Sequence, residues 1–419
     1  MDNVGATETP IDGILWAHIT FMSLAFGIIF PAGMVLGLSR SKWHIPLQIL
    51  GSLLLLIGYF LGHAHGGRQF SGDNIHGSFA TIVVLTLASQ VSLGIYLKLH
   101  LEYGFNKWLG PLCVKIHKLI GISMPIIGYI QIVFGVITAT GWCRDDHLGQ
   151  CLAHFIMGSS FIAYGMMTIL LLRIGSEWLR SKGKSQDYFD SLIIMMWGFM
   201  NTWTEHRWNE PWTHKDYQHT ALGIMWWAGG LVGFYLSRNG KRNVFPGLVI
   251  LFTGFVMSTH AQLLEVSIVV HAVFGYSLMG AGLIRIIEVC FFTNNIGSIK
   301  VIQQLPPFLL ILSGLLFMGA NEEQLIYLDA NSIDPYSYSL IIITISFLSF
   351  LSINLFIDLY WKSGRNNGEP KYDKLSNHPI PLDTQTRRTV MQDSPTSTND
   401  YEFNSLLVHD NQFEDDDEK

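Results

Sequence analysis

Long runs of apolar residues alternate with short polar segments along most of the chain. In the first third, such runs fill residues 19–38, 45–61, 75–97 and 120–141. Each approaches or exceeds the roughly 18 to 20 residues that a helix needs to cross the hydrocarbon core of a bilayer. A period of two, which is typical of transmembrane barrels, is absent. The pattern predicts an all-α, polytopic membrane protein.

The same pattern predicts about eleven transmembrane helices. They cover residues 14–38, 45–64, 76–97, 112–140, 153–174, 188–205, 218–237, 244–263, 266–290, 305–320 and 338–360. Inside lipid the backbone must satisfy its own hydrogen bonds, which is why each segment is expected to be helical. The sixth and tenth segments are short, and an abrupt turn joins the eighth to the ninth, so the expected count is nine to eleven.

These segments divide the chain into four regions. They are an outer N-terminal segment at 1–13, a four-helix core with a fifth helix at 14–174, a six-helix membrane domain at 188–360, and a tail at 361–419. The tail is rich in Asn, Asp, Ser, Thr and Pro and is expected to be disordered. The N-terminal segment is acidic rather than basic, so the first helix is expected to act as its own insertion signal.

The distribution of charge predicts the orientation. Only 14% of the residues are charged, against about a quarter in soluble domains. With the N-terminus outside, fifteen Lys and Arg residues before the tail fall in inner loops and four in outer loops. Basic residues are enriched on the cytoplasmic side, so we expect an outer N-terminus and a cytosolic tail. The organelle stays open, and lipid rather than nucleic acid is the expected environment.

Two of the four cysteines flank a short predicted outer loop. Cys143 and Cys151 lie on the side of the membrane that is oxidising in this orientation, which favours a disulfide between them. Two unlinked cysteines remain the alternative. Cys113 and Cys290 fall near the inner face and are expected to stay thiols.

The first four predicted helices carry histidines at matching depths. His18 and His76 fall near the outer ends of the first and third helices, and His44 and His117 near the inner ends of the second and fourth. In an antiparallel four-helix bundle these partners can face each other. Each pair is then able to hold one planar ligand, at levels roughly 20 Å apart. Two bis-imidazole haems need this arrangement, which carries electrons and leaves no iron position for oxygen.

The residues around these histidines resemble the cytochrome b561 and ferric-reductase transmembrane family. The matching features are His18 with Pro31, Gly33 and Arg40; Trp43-His44 with Gln48; His76 with Gln90; and His117 with Gly121, Gly128, Gln131 and Gly135. The resemblance covers residues 14–140. It implies that the His18–His76 and His44–His117 pairs are the axial ligands of two haem b groups.

The resemblance also implies a function. Electrons would pass from a cytosolic reductant, such as ascorbate, to an outer redox partner or metal, such as a ferric or cupric ion. Whether the chain is itself an oxidoreductase, and whether it forms a homodimer, stays open. The small residues Gly77, Ser78, Ala80 and Gly121 are expected to let each macrocycle approach the backbone.

One departure from that family lies at the end of the second helix. His63 and His65 add two histidines at the outer level. Either is an alternative ligand in place of His18 or His76, or a ligand of the metal that is reduced. The layout of the whole chain, mainly after residue 187, is similar to that of the fungal Ytp-like membrane proteins.

A second set of histidines lies in the C-terminal half. His206 and His219 in an outer loop, His260 at the end of the eighth helix and His271 in the ninth are expected near one face. With neighbouring carboxylates they suit zinc, copper or iron. The alternative is an interfacial aromatic belt, since tryptophans accompany them. A metal-binding transporter or hydrolase using these four histidines, and a non-catalytic membrane scaffold, are the rival functions.

Overall fold

A computed structural model describes residues 9–70, 74–99, 104, 106–144, 147–204, 206, 209–259, 262–292 and 301–367. Most of the predicted tail and the first eight residues lie outside these ranges, as does His260. Eleven principal helices account for most of the described chain. The all-α, polytopic expectation is confirmed.

The principal helices match the eleven predicted segments one to one. They are α1 Gly13–Leu38, α2 His44–Ala64, α3 Ile75–Lys98, α4 Asn106–Thr140, α5 Leu148–Arg173, α6 Gln186–Thr204, α7 His214–Ser237, α8 Phe245–Ser258, α9 Glu265–Phe291, α10 Leu305–Met318 and α11 Pro335–Lys362. Short helices at Ser176–Ser181 and Glu322–Ala330 lie between them. Short 3-10 turns occur at Val301–Gln304 and Gly364–Asn366.

Nine helices in the described part of the chain are long and apolar enough to cross a membrane. The exceptions are α6, which has acidic residues near its start, and α8, which has 14 residues. The tenth reaches the required length together with the preceding turn, as Val301–Met318. Length and composition therefore support the lower end of the expected range.

Polar side chains mark where several apolar helices begin. Asp12 accepts the N–H of Leu15 at 2.8 Å at the start of α1, and Asp334 accepts that of Ser337 at 2.7 Å at the start of α11. Such capping satisfies amides that the first turn of a helix leaves without a partner. The short polar segments between the apolar runs therefore contain the signals that start these helices.

Contacts between connecting segments sort the helix ends into two layers. Ser39, after α1, accepts the N–H of Arg365, after α11, at 2.9 Å. Cys143, after α4, donates its N–H to Glu323, after α10, at 2.7 Å. Ten helices separate the first two segments and six the second two. Two segments that lie on the same side of the membrane must be separated by an even number of helices if each principal helix crosses the membrane once.

Glycines allow the C-terminal helices to pack closely. A Cβ at Gly158 of α5 would lie 2.6 Å from the carbonyl oxygen of Gly314 of α10, and one at Gly314 would lie 2.5 Å from that of Gly158. Gly254 of α8 and Gly275 of α9 meet in the same way. Small residues are what lets transmembrane backbones approach this far. Helix α5, grouped by sequence with the first four helices, therefore packs against the C-terminal bundle.

Large apolar side chains cover the outer surfaces of the helices. Phe60 on α2, Leu85 on α3 and Leu340 on α11 are 62%, 63% and 62% exposed. Soluble monomers rarely expose apolar surfaces on this scale. A bilayer around the helices covers these surfaces, which fits an integral membrane protein.

Candidate functional site

Two pairs of histidines face each other between the first four helices. The rings of His18 on α1 and His76 on α3 have centroids 6.1 Å apart. Those of His44 on α2 and His117 on α4 are 6.3 Å apart. The planes of the two rings are perpendicular in both pairs, and all four residues are half-buried. The structure thus brings together the two pairs that the sequence analysis grouped.

Three of these rings bond through Nδ1 to a backbone carbonyl of the neighbouring helix. The pairs are His18 with Gly58 at 2.7 Å, His44 with Gly33 at 2.7 Å and His76 with Gln131 at 3.2 Å. A carbonyl oxygen only accepts, so Nδ1 carries the proton and Nε2 keeps its lone pair. Metal-bound histidines commonly have this arrangement, in which the second nitrogen fixes the orientation of the ring.

The fourth ring, His117, occupies an equivalent position. Its Nδ1 lies near the backbone of Gln90 on α3 but is buried without a hydrogen bond. The side-chain oxygens of Gln90 and Gln131 are also buried without a partner. Buried polar atoms in proteins are nearly always paired, so each such atom calls for an explanation.

A glycine lies against each of the four rings. A Cβ would lie 2.6 Å from His18 at Gly62, 2.8 Å from His44 at Gly37, 3.2 Å from His76 at Gly135 and 3.4 Å from His117 at Gly94. At Gly62 and Gly37 the distance is too short for any other residue without movement of the ring. The glycines therefore leave room for the imidazoles between the helices.

These glycines are not the small residues that the sequence analysis selected. Gly121 lies against Gln90 instead, where a Cβ would be 2.9 Å from Nε2. The nearest neighbour of Gly77 is Asn74, the residue that caps its own helix. Small residues next to a ligand in sequence turned out not to be the ones next to its ring in space.

The ring contacts follow one repeated spacing. In α2, α3 and α4 the carbonyl that faces the other ring lies 14 residues after the helix's own histidine, and the glycine lies 18 after it. The sets are His44-Gly58-Gly62, His76-Gln90-Gly94 and His117-Gln131-Gly135. The α1–α2 and α3–α4 hairpins are thus structurally equivalent. This spacing was readable from the sequence and was missed.

Helix α1 departs from the spacing by one residue. Gly33 and Gly37 follow His18 by 15 and 19 residues. Between His18 and Gly33, residues Ala25–Ile29 form a π-helical turn. A π turn takes up one additional residue within an α-helix, so the two ends of α1 keep the orientations seen in the other helices.

Aromatic side chains fill the core between the two levels. Phe26 and Phe30 of α1 are 5% and 3% exposed, with ring centroids 5.4 Å apart. Gly128 on α4 and Gly51 on α2 make room for them. The carbonyl bound by His18 lies fourteen residues along α2 from His44, or about 21 Å at 1.5 Å per residue. The two histidine levels are thus separated by an apolar core.

The extra outer histidines have other ring partners. His63 is exposed, and its Nδ1 donates to the backbone carbonyl of Tyr59 in its own helix at 2.9 Å. The rings of His63 and Tyr59 have centroids 4.5 Å apart. The ring of His65 contacts Phe70 at 5.7 Å. The rings that meet at the outer level are those of His18 and His76.

The histidines of the C-terminal half lie in separate surroundings. His206 stacks on Trp212 at 4.0 Å, and its Nδ1 lies 3.3 Å from Asp216. His271 is buried on α9 and donates through Nδ1 to the carbonyl of Ser267 at 2.9 Å. These contacts orient each ring locally.

The predicted second metal site stays a prediction, because one of its four histidines, His260, is outside the described ranges. His219 lies on α7. Where side chains are described, Cys143, Cys151 and Glu323 form a group of three His, Cys, Asp or Glu residues whose possible metal-binding atoms lie within 4.8 Å of one another. Those two sulfurs are joined in a disulfide, while Cys113 is a buried thiol and Cys290 an exposed one.

Comparisons with known proteins identify related sequences. The family model described as "Protein YTP1-like, C-terminal" matches residues 127–361, and the "Domain of unknown function (DUF2427)" matches residues 2–100. Protein YTP1 of Saccharomyces cerevisiae is 42% identical over 292 residues, which are 67% of this chain and 63% of YTP1. This chain therefore spans less than two thirds of the length of YTP1.

More distant relatives carry membrane descriptions. Uncharacterized membrane protein C3B8.06 of Schizosaccharomyces pombe is 24% identical over 77% of this chain and 88% of its own length. Uncharacterized membrane protein YCR061W of Saccharomyces cerevisiae is 23% identical over 58% of this chain and 47% of its own. No solved structure matches.

Proposed function

This chain belongs to the YTP1-like family, and we propose that its first four helices carry electrons across the membrane through two b-type haems. His18 with His76 are the axial ligands at the outer level, and His44 with His117 those at the inner level. The donor is a cytosolic reductant such as ascorbate, and the acceptor is an outer ferric or cupric ion. The proposal rests on the two facing pairs of histidine rings and on the repeated sequence interval between each histidine and its helix's ring-contacting residues.

The ring separation fits a shared metal. Two imidazole nitrogens on opposite sides of one iron, each about 2 Å from it, put the ring centres roughly 6 Å apart. The measured separations are 6.1 Å and 6.3 Å. An iron between the rings would also account for two ionisable side chains meeting at membrane depth, which is costly without a function.

The surroundings of the rings fit the same role. Hydrogen bonds from Nδ1 of His18, His44 and His76 to carbonyls make Nε2 the nitrogen available to a metal and raise its basicity. The glycines at 37 and 62 leave the rings no side chain to displace. Helix packing alone requires neither feature.

The separation of the levels suits transfer across a bilayer. When bound, a haem with two axial imidazoles supplies a one-electron couple without an open coordination position. The histidines hold the two sites about 21 Å apart along α2, and Phe26 and Phe30 exclude water between them. Each site thus lies near one face of the membrane.

Basic residues near the inner pair support an anionic donor. Arg40 and Lys42 precede His44, and Lys115 and Lys118 flank His117. All four are exposed. In the proposed orientation they face the cytosol and attract an anion such as ascorbate by long-range electrostatics.

The test is a reduced-minus-oxidised absorption spectrum of the purified full-length chain, with haem quantified per chain. We expect two haems in the native protein and about one in each of His18→Ala and His44→Ala. His63→Ala, which changes an exposed histidine near the outer level, is the matched control and should retain two. A haem-free native protein from cells supplied with haem would refute the proposal. Two haems in all three variants would exclude these ligands.

A further inference from the structure

Five charged side chains, three buried carboxylates and two half-buried arginines, lie together at the predicted inner end of the C-terminal bundle. They are Asp187 and Asp190 near the start of α6, Arg242 before α8, and Arg285 and Glu288 near the end of α9. Their side chains are 1%, 7%, 21%, 13% and 6% exposed. Burial of ions on this scale is costly and favours sites with a function.

Two of the three carboxylates are each shared by both arginines. Asp187 lies 2.6 Å from Arg285 and 3.7 Å from Arg242. Glu288 lies 2.7 Å from Arg285 and 3.2 Å from Arg242. Gln303 adds a hydrogen bond to Glu288 at 3.0 Å. These four charged groups compensate one another.

Asp190 has no such compensation. Arg285 is 3.9 Å from its Oδ2, and its close partners are neutral: Tyr164 of α5 donates to Oδ1, and Gln186 donates to Oδ2 at 3.3 Å. Among the residues that the structure describes, three carboxylates against two guanidinium groups leave one negative charge in the cluster. By these distances that surplus charge belongs to Asp190.

A small cavity adjoins this carboxyl. It has a volume of about 40 Å³, and its lining includes Tyr164, Gln186, Asp190, Arg285 and Glu288. A space of this size admits a water molecule when polar groups surround it. Nε of Arg285 is buried there without a hydrogen bond, so the cavity offers a donor that a water can satisfy.

We propose that the C-terminal half binds one proton at this cluster, on the carboxyl group of Asp190. The proton comes from hydronium or a buffer acid in solution, a new O–H bond forms on Asp190, and water or the buffer base remains in solution. Tyr164 then accepts rather than donates, because its hydroxyl can rotate. The added proton offsets the surplus negative charge, and the contacts of both arginines with Asp187 and Glu288 are unchanged.

The ionisable groups around Asp190 in the described chain are few. They are Asp187 on its own helix, Tyr164 from α5, and Arg285 with Glu288 from α9, while Arg242 lies one ion pair away. Because both arginines contact Asp187 and Glu288, the one carboxylate left over accounts for a single proton. The inference does not depend on haem.

The first experiment is infrared difference spectroscopy of the purified full-length protein during a pH titration. We expect a C=O stretching band of a protonated carboxylic acid that disappears as the pH rises and is missing in Asp190→Asn. Tyr164→Phe should retain the band but shift the pH at which it disappears. Absence of the band from the native protein, or its persistence in Asp190→Asn, would overturn the assignment.

The second experiment compares thermal unfolding of two variants that each remove one charge. Asp190→Asn mimics the protonated group, so it should unfold near the temperature of the native protein at low pH and lose part of the pH dependence. Asp187→Asn, the matched control, removes a partner from both arginines and should unfold at a lower temperature. Equal destabilisation would contradict a surplus charge on Asp190. Replacing Na⁺ and K⁺ by choline at constant pH should change nothing, and a loss of stability there would assign the site to a metal cation instead.

Discussion

A Cβ atom at Gly62 would lie 2.6 Å from Nδ1 of His18, the same nitrogen that donates to the carbonyl of Gly58 at 2.7 Å. The ring therefore fills the space in which a side chain of α2 would otherwise lie. The outer histidine and the glycine opposite it form one unit, and the same holds for His44 and Gly37 at the inner level.

Gly62→Ala is predicted to displace the His18 ring and break its hydrogen bond to Gly58. The proposed outer haem should be lost or bound at least about tenfold more weakly, in line with the effect of removing a partner of a metal ligand. Haem per chain and the absorption spectrum provide the measurement. Gly66→Ala is the control, since nothing lies within 4 Å of a Cβ there. Equal haem loss in both variants would show that the ring contact is not the cause.

Gln131→Leu is predicted to weaken the outer site selectively. The side-chain Nε2 of Gln131 donates to the backbone oxygen of His76 at 3.0 Å, while the backbone carbonyl of Gln131 accepts a hydrogen bond from Nδ1 of His76. Losing the first bond should lower outer haem affinity about 10- to 100-fold. Gln90→Leu, the equivalent change in the other helix of this hairpin, should instead affect the inner haem. Redox titration that resolves the two haems distinguishes these outcomes, and identical effects would argue against the equivalence of the positions.

Glu323→Ala is predicted to destabilise the contact between the α4–α5 loop and the helix Glu322–Ala330. Glu323 accepts the N–H of Cys143 at 2.7 Å, and hydrogen bonds to charged groups contribute about 1.5–3 kcal/mol. Thermal unfolding of the detergent-purified protein should occur at a lower temperature. Glu322→Ala next to it removes a half-exposed side chain 3.9 Å from His147 and should have a much smaller effect. The reverse order would contradict the assigned role.

Acidification is predicted to release the loop that follows α2. Backbone N–H groups of Leu15, Gly66 and Gly67 donate to Asp12 and lower the pKa of that carboxyl below its usual value of 3.8. Because the folded-state pKa is lowered, the stabilisation is present above the usual value and is lost as the pH falls through the folded-state value. The protection factors of the three N–H groups in amide hydrogen exchange should fall below about pH 4.

Asp12→Asn serves as the control for that titration. It should show lower protection factors at Gly66 and Gly67 already at pH 6, and these protection factors should change little on acidification. A native protein with the same pH response as Asp12→Asn would show that another group titrates.

The helices and the depths of the four core histidines were accessible from sequence because lipid imposes length and apolarity on each segment. Depth alone placed His18 level with His76 and His44 level with His117. Which glycine meets which ring depends on the rotation of each helix about its axis. That rotation is set by packing, so depth did not select Gly62, whereas the 18-residue spacing from His44 that α3 and α4 repeat would have.

The buried ionic cluster was invisible to a residue-by-residue search. Asp187 and Arg285 are 98 residues apart in the chain and meet only because the start of α6 and the end of α9 lie at one level. Arg285 is a half-buried member of the cluster, 13% exposed. Long-range pairing of opposite charges has no local sequence signature, unlike the periodicity that marks a helix.

The π turn Ala25–Ile29 has a consequence for how α1 tolerates change in length. Each residue advances an α-helix by about 100°, so removing one residue within this turn, and restoring regular geometry, would leave the helix on either side facing as it does now. Removing one residue elsewhere between His18 and Gly33 without consuming the π turn would swing the carbonyl of Gly33 away from His44. The π turn therefore accommodates the one additional residue of α1, so that this helix makes the same kind of ring contacts as α2, α3 and α4.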